Sequence, residues 1–157
     1  MSDITSLVRT GDIETVLNQR QWRWHPEFIK VLLDDPSLEA EVAAGIKAEI
    51  MQILERRGYV YTTENDGFWV GFGAAVESRM ADDTILALTG MDAGLNRSPD
   101  IGKGTLMIAL FSPHKKQAQW RVQLQGYTYE DQNQADRKTR LATLITQMLS
   151  PIPNISN

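Results

Sequence analysis

Histidine is the usual general base near neutral pH, and this chain has two, His25 and His114. His25 precedes a proline, and His114 falls in a polar turn between two strand-like runs. Neither belongs to the spacing of a metal ligand set or a catalytic triad, so both read as exposed structural residues. Asp82, Asp83, Asp92 and Asp100 suggest calcium. A loop of the EF-hand type, however, needs acidic or amide side chains at alternate positions and a closing glutamate. That order is missing, and helix capping and solvation account for the four carboxylates.

Gly102-Lys103-Gly104 matches a phosphate loop only in part. The full motif has a second glycine four residues before its Gly-Lys, a hydroxyl after the lysine and a helix next, where here a strand-like run follows. The sequence contains no Gly-x-Ser-x-Gly elbow and no pair of carboxylates at a spacing that defines a hydrolase. One enzymatic arrangement stays open: Arg121 holding an anionic group bidentately beside Asp82 or Asp92. The plainer reading is a solvated strand arginine paired across a sheet.

The chain has 157 residues, enough for one domain that buries about two thirds of its unfolded surface. Hydrophobic residues at 42% and charged residues at 23% are ordinary for a globular protein, so a core is expected. A formal net charge of -4 removes the basic excess on which nucleic-acid affinity rests. There is no cysteine, which excludes disulfides, thiolate nucleophiles and thiolate metal sites. No cofactor is implied. No apolar run is long enough for a transmembrane helix. Ser2, Asp3 and Thr5 make a polar start where a secretory signal needs a basic end and an apolar stretch. A start at Met is equally compatible with a signal removed upstream.

Two runs in residues 104–129 organise the rest. Leu106, Ile108 and Leu110, then Trp120, Val122 and Leu124, alternate with other residues and flank a polar segment, which is a β-hairpin pattern. Side chains alternate across a strand, so these six should share one face and form core. Before the hairpin, residues 20–24 read as a strand with Trp22 and Trp24 on one side, ended by His25-Pro26, and residues 28–33 either lengthen it or form a turn of helix. Ser37 is placed to cap a helix whose stripe is Leu38, Val42, Ile46, Ile50, Ile53 and Leu54. Arg56, Arg57 and Gly58 should stop it. Residues 59–63 and 68–76 are expected to pair as a hairpin around Asn65-Asp66-Gly67. Residues 80–96 read as a short helix or a strand, and residues 90–104, with four glycines and a proline, as an irregular segment. A last helix carries Leu141, Leu144, Ile145, Met148 and Leu149 and stops at Pro151 and Pro153.

The expected fold is α+β: a mainly antiparallel sheet of about four to six strands with two long helices packed on one face. Residues 1–19 are read as a partly flexible N-terminal segment, frayed at its start and then a short helix or a first strand, 20–153 as the single domain, and 154–157 as a disordered tail. Helices on one face leave the other to water or a partner. Met107, Phe111 and Arg121 fall on that second face, with Trp69, Gly71, Gly73 and Ala75 on the neighbouring strand. Met107, Phe111, Arg121 and Trp69 are therefore the candidate interaction surface, with burial of the apolar part by the N-terminal segment or by residues 80–103 as the equal alternative. The glycines permit close approach by another backbone or a ring, and a strand lying beside a bulge explains them more simply than a ligand platform does.

Residues 20–26 (RQWRWHP), 46–59 (IKAEIMQILERRGY), 68–76, 104–110 (GTLMIAL) and 119–122 (QWRV) together resemble a bacterial family of domains of unknown function, number 4136. In that family a strand with a Tyr-x-Trp-type element precedes a helix that runs into a Lys-Gly-Tyr step. A Gly-Thr-Leu strand and a Trp-Arg strand then lead to the last helix. The resemblance spans residues 20–150. Gln21 and Trp22 stand where the family often has Thr and Tyr, and Val122 where glycine is common. The family's members look like outer-membrane or periplasmic lipoproteins with no established activity, so the resemblance carries over no catalytic residue. The resemblance points to a non-catalytic envelope domain, and Met107 and Phe111 on the second face suggest that it binds a partner protein or a small apolar ligand there or through residues 90–104. The alternatives are an enzyme acting on an envelope component and a self-associating structural module. The expected place is the periplasm or outer membrane if a signal has been removed, and the cytoplasm otherwise.

Overall fold

A computed structural model of the chain describes residues 4–32, 36–64, 67–76, 103–113, 117–127 and 134–155. In chain order the elements are β1 (Ile4–Gly11), α1 (Ile13–Val16), β2 (Gln21–Leu32), a 3-10 turn (Pro36–Leu38), α2 (Glu39–Arg56), β3 (Val60–Tyr61), β4 (Phe68–Val76), β5 (Lys103–Phe111), β6 (Trp120–Tyr127) and α3 (Gln134–Met148). The six strands make one sheet in the order β1-β6-β5-β4-β2-β3. β1 with β6, β6 with β5 and β5 with β4 are antiparallel, whereas β2 runs parallel to both β4 and β3. The fold is α+β with mostly antiparallel pairing, as the patterning implies.

The β5–β6 hairpin has the anticipated register. Leu106 lies opposite Leu124, Ile108 opposite Val122 and Leu110 opposite Trp120. All six are buried and share a core with Trp22, Phe68, Val70 and Phe72. Both long helices pack on this side. α2 contributes Ile46, Ile50, Ile53 and Leu54, and α3 with its final turn contributes Ile145, Met148, Leu149 and Ile152. Each such aliphatic side chain is worth about 1.5–3 kcal/mol on full burial, so the two stripes hold the helices to the sheet.

The start of α2 differs in detail from the capping expectation. A 3-10 turn at Pro36–Leu38 leads directly into the helix, so Leu38, already αR, stands at the boundary where Ser37 was the expected cap. Leu38 is consequently exposed and the buried stripe starts at Ile46. The other end stops at Arg57 and Gly58, as the sequence indicates, with Gly58 at φ 97°.

Two expectations are corrected. Residues 59–63 do not pair with β4. β2 lies between them, because the Val60 amide donates to the Arg20 carbonyl and the Thr62 amide to the Trp22 carbonyl, each at 2.9 Å. The chain then crosses the start of β2 so closely that a Cβ on Gly67 would overlap the Gln21 carbonyl. Second, the N-terminal stretch does form the expected first strand and short helix, but it is not separate from the domain: β1 is an outer strand of the sheet, and Val16 of α1 is core. At the other end the Ile155 amide donates to the Arg57 carbonyl at 2.7 Å, so the first residues of the expected tail are tied down. Residues 80–96, and 90–104 up to Gly102, lie outside the described residues, while Lys103 and Gly104 open β5.

The last helix is held by two guanidinium groups. Arg9 of β1 donates to the Gln147 carbonyl at 2.7 Å, and Arg57 donates to the carbonyls of Leu149 and Ile152. Helix C-termini present carbonyls without intrahelical partners and carry a partial negative charge, which these cations answer. Replacing the Arg57 head group while keeping its stem, Arg57→Met, should cost about 1–3 kcal/mol in urea denaturation, with Arg57→Lys recovering only part of it. Gly45, inside α2, behaves oppositely. An added Cβ would meet Leu141 Cδ2 at an ordinary 3.9 Å, so Gly45→Ala should raise stability by about 0.5–1 kcal/mol in the same assay.

Candidate functional site

Alternation that sends Leu106, Ile108 and Leu110 into the helix-side core sends Thr105, Met107, Ala109 and Phe111 to the second face. Gly73 lies opposite Met107, Gly71 opposite Ala109 and Trp69 opposite Phe111 on β4, while β6 places Arg121 opposite Ala109 and Gln123 opposite Met107. The four candidate surface residues, Met107, Phe111, Arg121 and Trp69, therefore lie on one face, as their spacing requires.

They do not form an exposed patch on the single chain. Met107 is 2% exposed, Phe111 0% and Arg121 3%, and Trp69 is half-buried. The expectation of an open second face is corrected at these positions, and part of the cover is visible. β2 pairs with β4 in register up to Trp24–Val70 and resumes at Ile29–Phe72, so the four residues His25, Pro26, Glu27 and Phe28 stand opposite Gly71 alone. This bulge folds over the face. The Phe28 ring stacks on Phe111 with centroids 5.1 Å apart and planes at 24°. A Cβ on Gly71 would come to 2.8 Å from both Phe28 Cβ and the Phe28 carbonyl oxygen, so no other residue fits there without displacing the bulge.

His25 is the centre of this cover. Its ring lies 4.2 Å from Phe28, 4.6 Å from Phe111 and 5.0 Å from Trp69, centroid to centroid. Its Nδ1 accepts the Glu27 amide at 3.0 Å, which places the neutral ring's proton on Nε2. Burial pushes its pKa below the usual 6.5, against a smaller opposing pull from the Glu27 carboxylate. The reading of His25 as an exposed residue is thus overturned: it is 4% exposed, because the bulge turns its ring inward onto three aromatic side chains. Arg23, two residues earlier, lays its guanidinium 5.9 Å from the centre of the Trp69 ring.

Away from the bulge the face turns polar and stays buried. Arg121, Gln123 and Gln125 are at 3%, 3% and 8% exposure. Gln125 Nε2 donates to Thr105 Oγ1 at 3.4 Å, whereas among the described residues Gln123 Nε2 has no hydrogen-bond partner. Met107 sits across from Gln123, one step from the aromatic cluster of Phe28, Trp69 and Phe111. His114 and the aspartates Asp82, Asp83, Asp92 and Asp100, the first and third of them considered beside Arg121, lie outside the described residues. Among the described residues no three His, Cys, Asp or Glu side chains gather where a metal ion could sit. Sequence reasoning missed His25 and Phe28, although one signal pointed to them: a Gly-x-Gly face on β4 needs something close above it.

Among solved structures, a DUF4136 family protein from Bacteroides thetaiotaomicron superposes with a TM-score of 0.60 at 13% identity, covering 99% of each chain. The chain has a DUF4136-like fold. The same fold extends to PelC from Paraburkholderia phytofirmans, a dodecamer, at a TM-score of 0.55 and 10% identity over 96% of this chain and 99% of that one. A methionine variant of that PelC dodecamer gives 0.52 at 11% identity, over 96% and 98%. No protein-family model and no curated protein matches the sequence. At these identities the likeness is one of fold, and the DUF4136-like sheet with its two helices is what the three share with this chain.

Because the bulge rests directly on Gly71, Gly71→Ala should cost about 1–3 kcal/mol in chemical denaturation. A loss below about 0.5 kcal/mol would mean that the bulge is free to move aside.

Proposed function

We propose that this chain is a non-catalytic domain of the bacterial cell envelope that works by binding protein, with further copies of itself as the first partner. The observation that carries the reading is the open sheet. β1 stands at one end and β3 at the other, and among the described residues each is paired on a single side. An unpaired strand edge presents a row of backbone donors and acceptors to any strand that can meet it. A closed ring of like subunits needs two different surfaces on each copy, and the two ends of an open sheet are such a pair. PelC, with the same fold over nearly its whole length, is a dodecamer, which supports this use of the architecture. Val60 and Tyr61 of β3 add exposed apolar area at one of the two ends, at 49% and 41%.

The envelope setting rests on the resemblance to a family of lipoprotein-like domains. A small apolar ligand is a weaker second choice, since Met107 and Phe111, which suggested it, are buried by the chain itself. The enzymatic alternative rested on Arg121, and that guanidinium is buried too.

Sedimentation over roughly a hundredfold range of concentration tests the proposal. The expected result is a discrete species of at least several chains, dispersed by Tyr61→Lys, which places a charge on β3. A single species with the mass of one chain at every concentration would sink it.

A further inference from the structure

The bulge on β2 is held by the packing of Phe28 and His25 and by one hydrogen bond. His25 to Phe28 interrupt the ladder to β4, and Pro26 has no amide to give. What closes this four-residue excursion is the bond from the Glu27 amide to His25 Nδ1, together with the packing of the imidazole on Phe28, Trp69 and Phe111. We propose that His25 is a proton-operated latch: neutral, it holds the bulge shut over Gly71 and Phe111, and protonation frees the bulge and uncovers the rings of Phe28, Trp69 and Phe111.

The chemistry follows from the geometry. Nδ1 can accept the Glu27 amide only while it carries no proton. Protonation turns it into a second donor facing that amide, so the bond that closes the turn is lost and a repulsive pair replaces it. The same proton puts a charge on a ring that is 4% exposed and lies among three aromatic side chains. Among the described residues, the charged groups near this cluster are Glu27 and Arg23 on β2 and Arg121 on β6, opposite Ala109. β4 faces it with Trp69 and Gly71, β5 with Phe111, and the segment before β6 with Ala118, none of which titrates in this range. Glu27 therefore gives the only described compensation, and burial outweighs it.

The sign is fixed by linkage. The closed bulge holds its histidine below the ordinary value of 6.5, and an open bulge in water restores that value, so the open form binds the proton better. Closure is fully favoured above the ordinary histidine value and weakens as pH falls through the lowered one. Nothing changes at higher pH.

Amide hydrogen exchange, corrected for the intrinsic effect of pH, reads this directly. Between about pH 7.5 and about pH 5, protection at Glu27, Phe28 and Ile29 should drop by about tenfold relative to that of Ile108 and Val122 in the same molecule. In His25→Gln and His25→Phe the ratio should be independent of pH. The latch is refuted if protection at the bulge falls only in step with the central strands, if it does not fall, or if it falls as much in the variants. Should neither variant fold, the 15N-labelled imidazole of the unaltered chain decides: opening must track the titration of His25, and a ring that titrates at or above 6.5 ends the idea. Sedimentation is independent of this outcome, so a failed latch leaves the assembly reading untouched and a monomeric chain leaves the latch untouched.

Discussion

β5 and β6 bury every side chain from Leu106 to Phe111 and from Trp120 to Gln125, alternate residues pointing to opposite faces. A sheet that is dry on both sides at its middle needs two covers, and the two long helices among the described residues both lie on one side. On the second side, close to β4, the visible cover is a strand folded onto itself. β2 departs from its ladder for four residues and lays Phe28 and His25 over the neighbouring strands. Such a cover is thin, which is why β4 carries glycine beneath it and why a single imidazole matters. Further along, the same face holds glutamines and an arginine at low exposure, where each polar group needs a partner to repay its lost hydration.

How much of this could be read from the residues depends on how local the interaction is. The β5–β6 hairpin was legible down to its register, because the six alternating residues and their turn lie in one continuous stretch. The stripes of α2 and α3 were legible for the same reason. Pairing of residues 59–63 was not. Asn65-Asp66-Gly67 is a strong local turn signal, yet β2, made some forty residues earlier, takes the place beside β4. There Trp22 takes the place opposite Phe68 in the ladder, a pairing between distant parts of the sequence. His25 failed in a similar way. A histidine before proline looks like a strand end, and only the continuation of the strand beyond Phe28 turns the ring inward. The glycines of β4 gave the right hint, that a strand beside a bulge lay above them, without naming the residues that fill the space.

The DUF4136-like fold and the open sheet belong to one argument. The resemblance was carried by the Trp-Arg-Trp strand, the Arg-Gly-Tyr helix exit and the Gly-Thr-Leu strand. In the structure these become β2, the end of α2 with Tyr59, and β5. Tyr59 is buried against Phe68 and its hydroxyl donates to the Pro153 carbonyl, so the helix exit also anchors the C-terminal residues. The recurring residues thus serve the frame. That is compatible with the proposed contact surfaces at the margins, where β1 and β3 end the sheet among the described residues.

The strand order has a consequence for synthesis. β1 is made first, yet its sole described neighbour in the sheet is β6, and Arg9 within it reaches the end of α3. The described pairing of β1 therefore waits for β6, the last strand of the sheet to be made. The β2–α2–β3 portion can gather in the meantime, and joining the first and last strands is a long-range step.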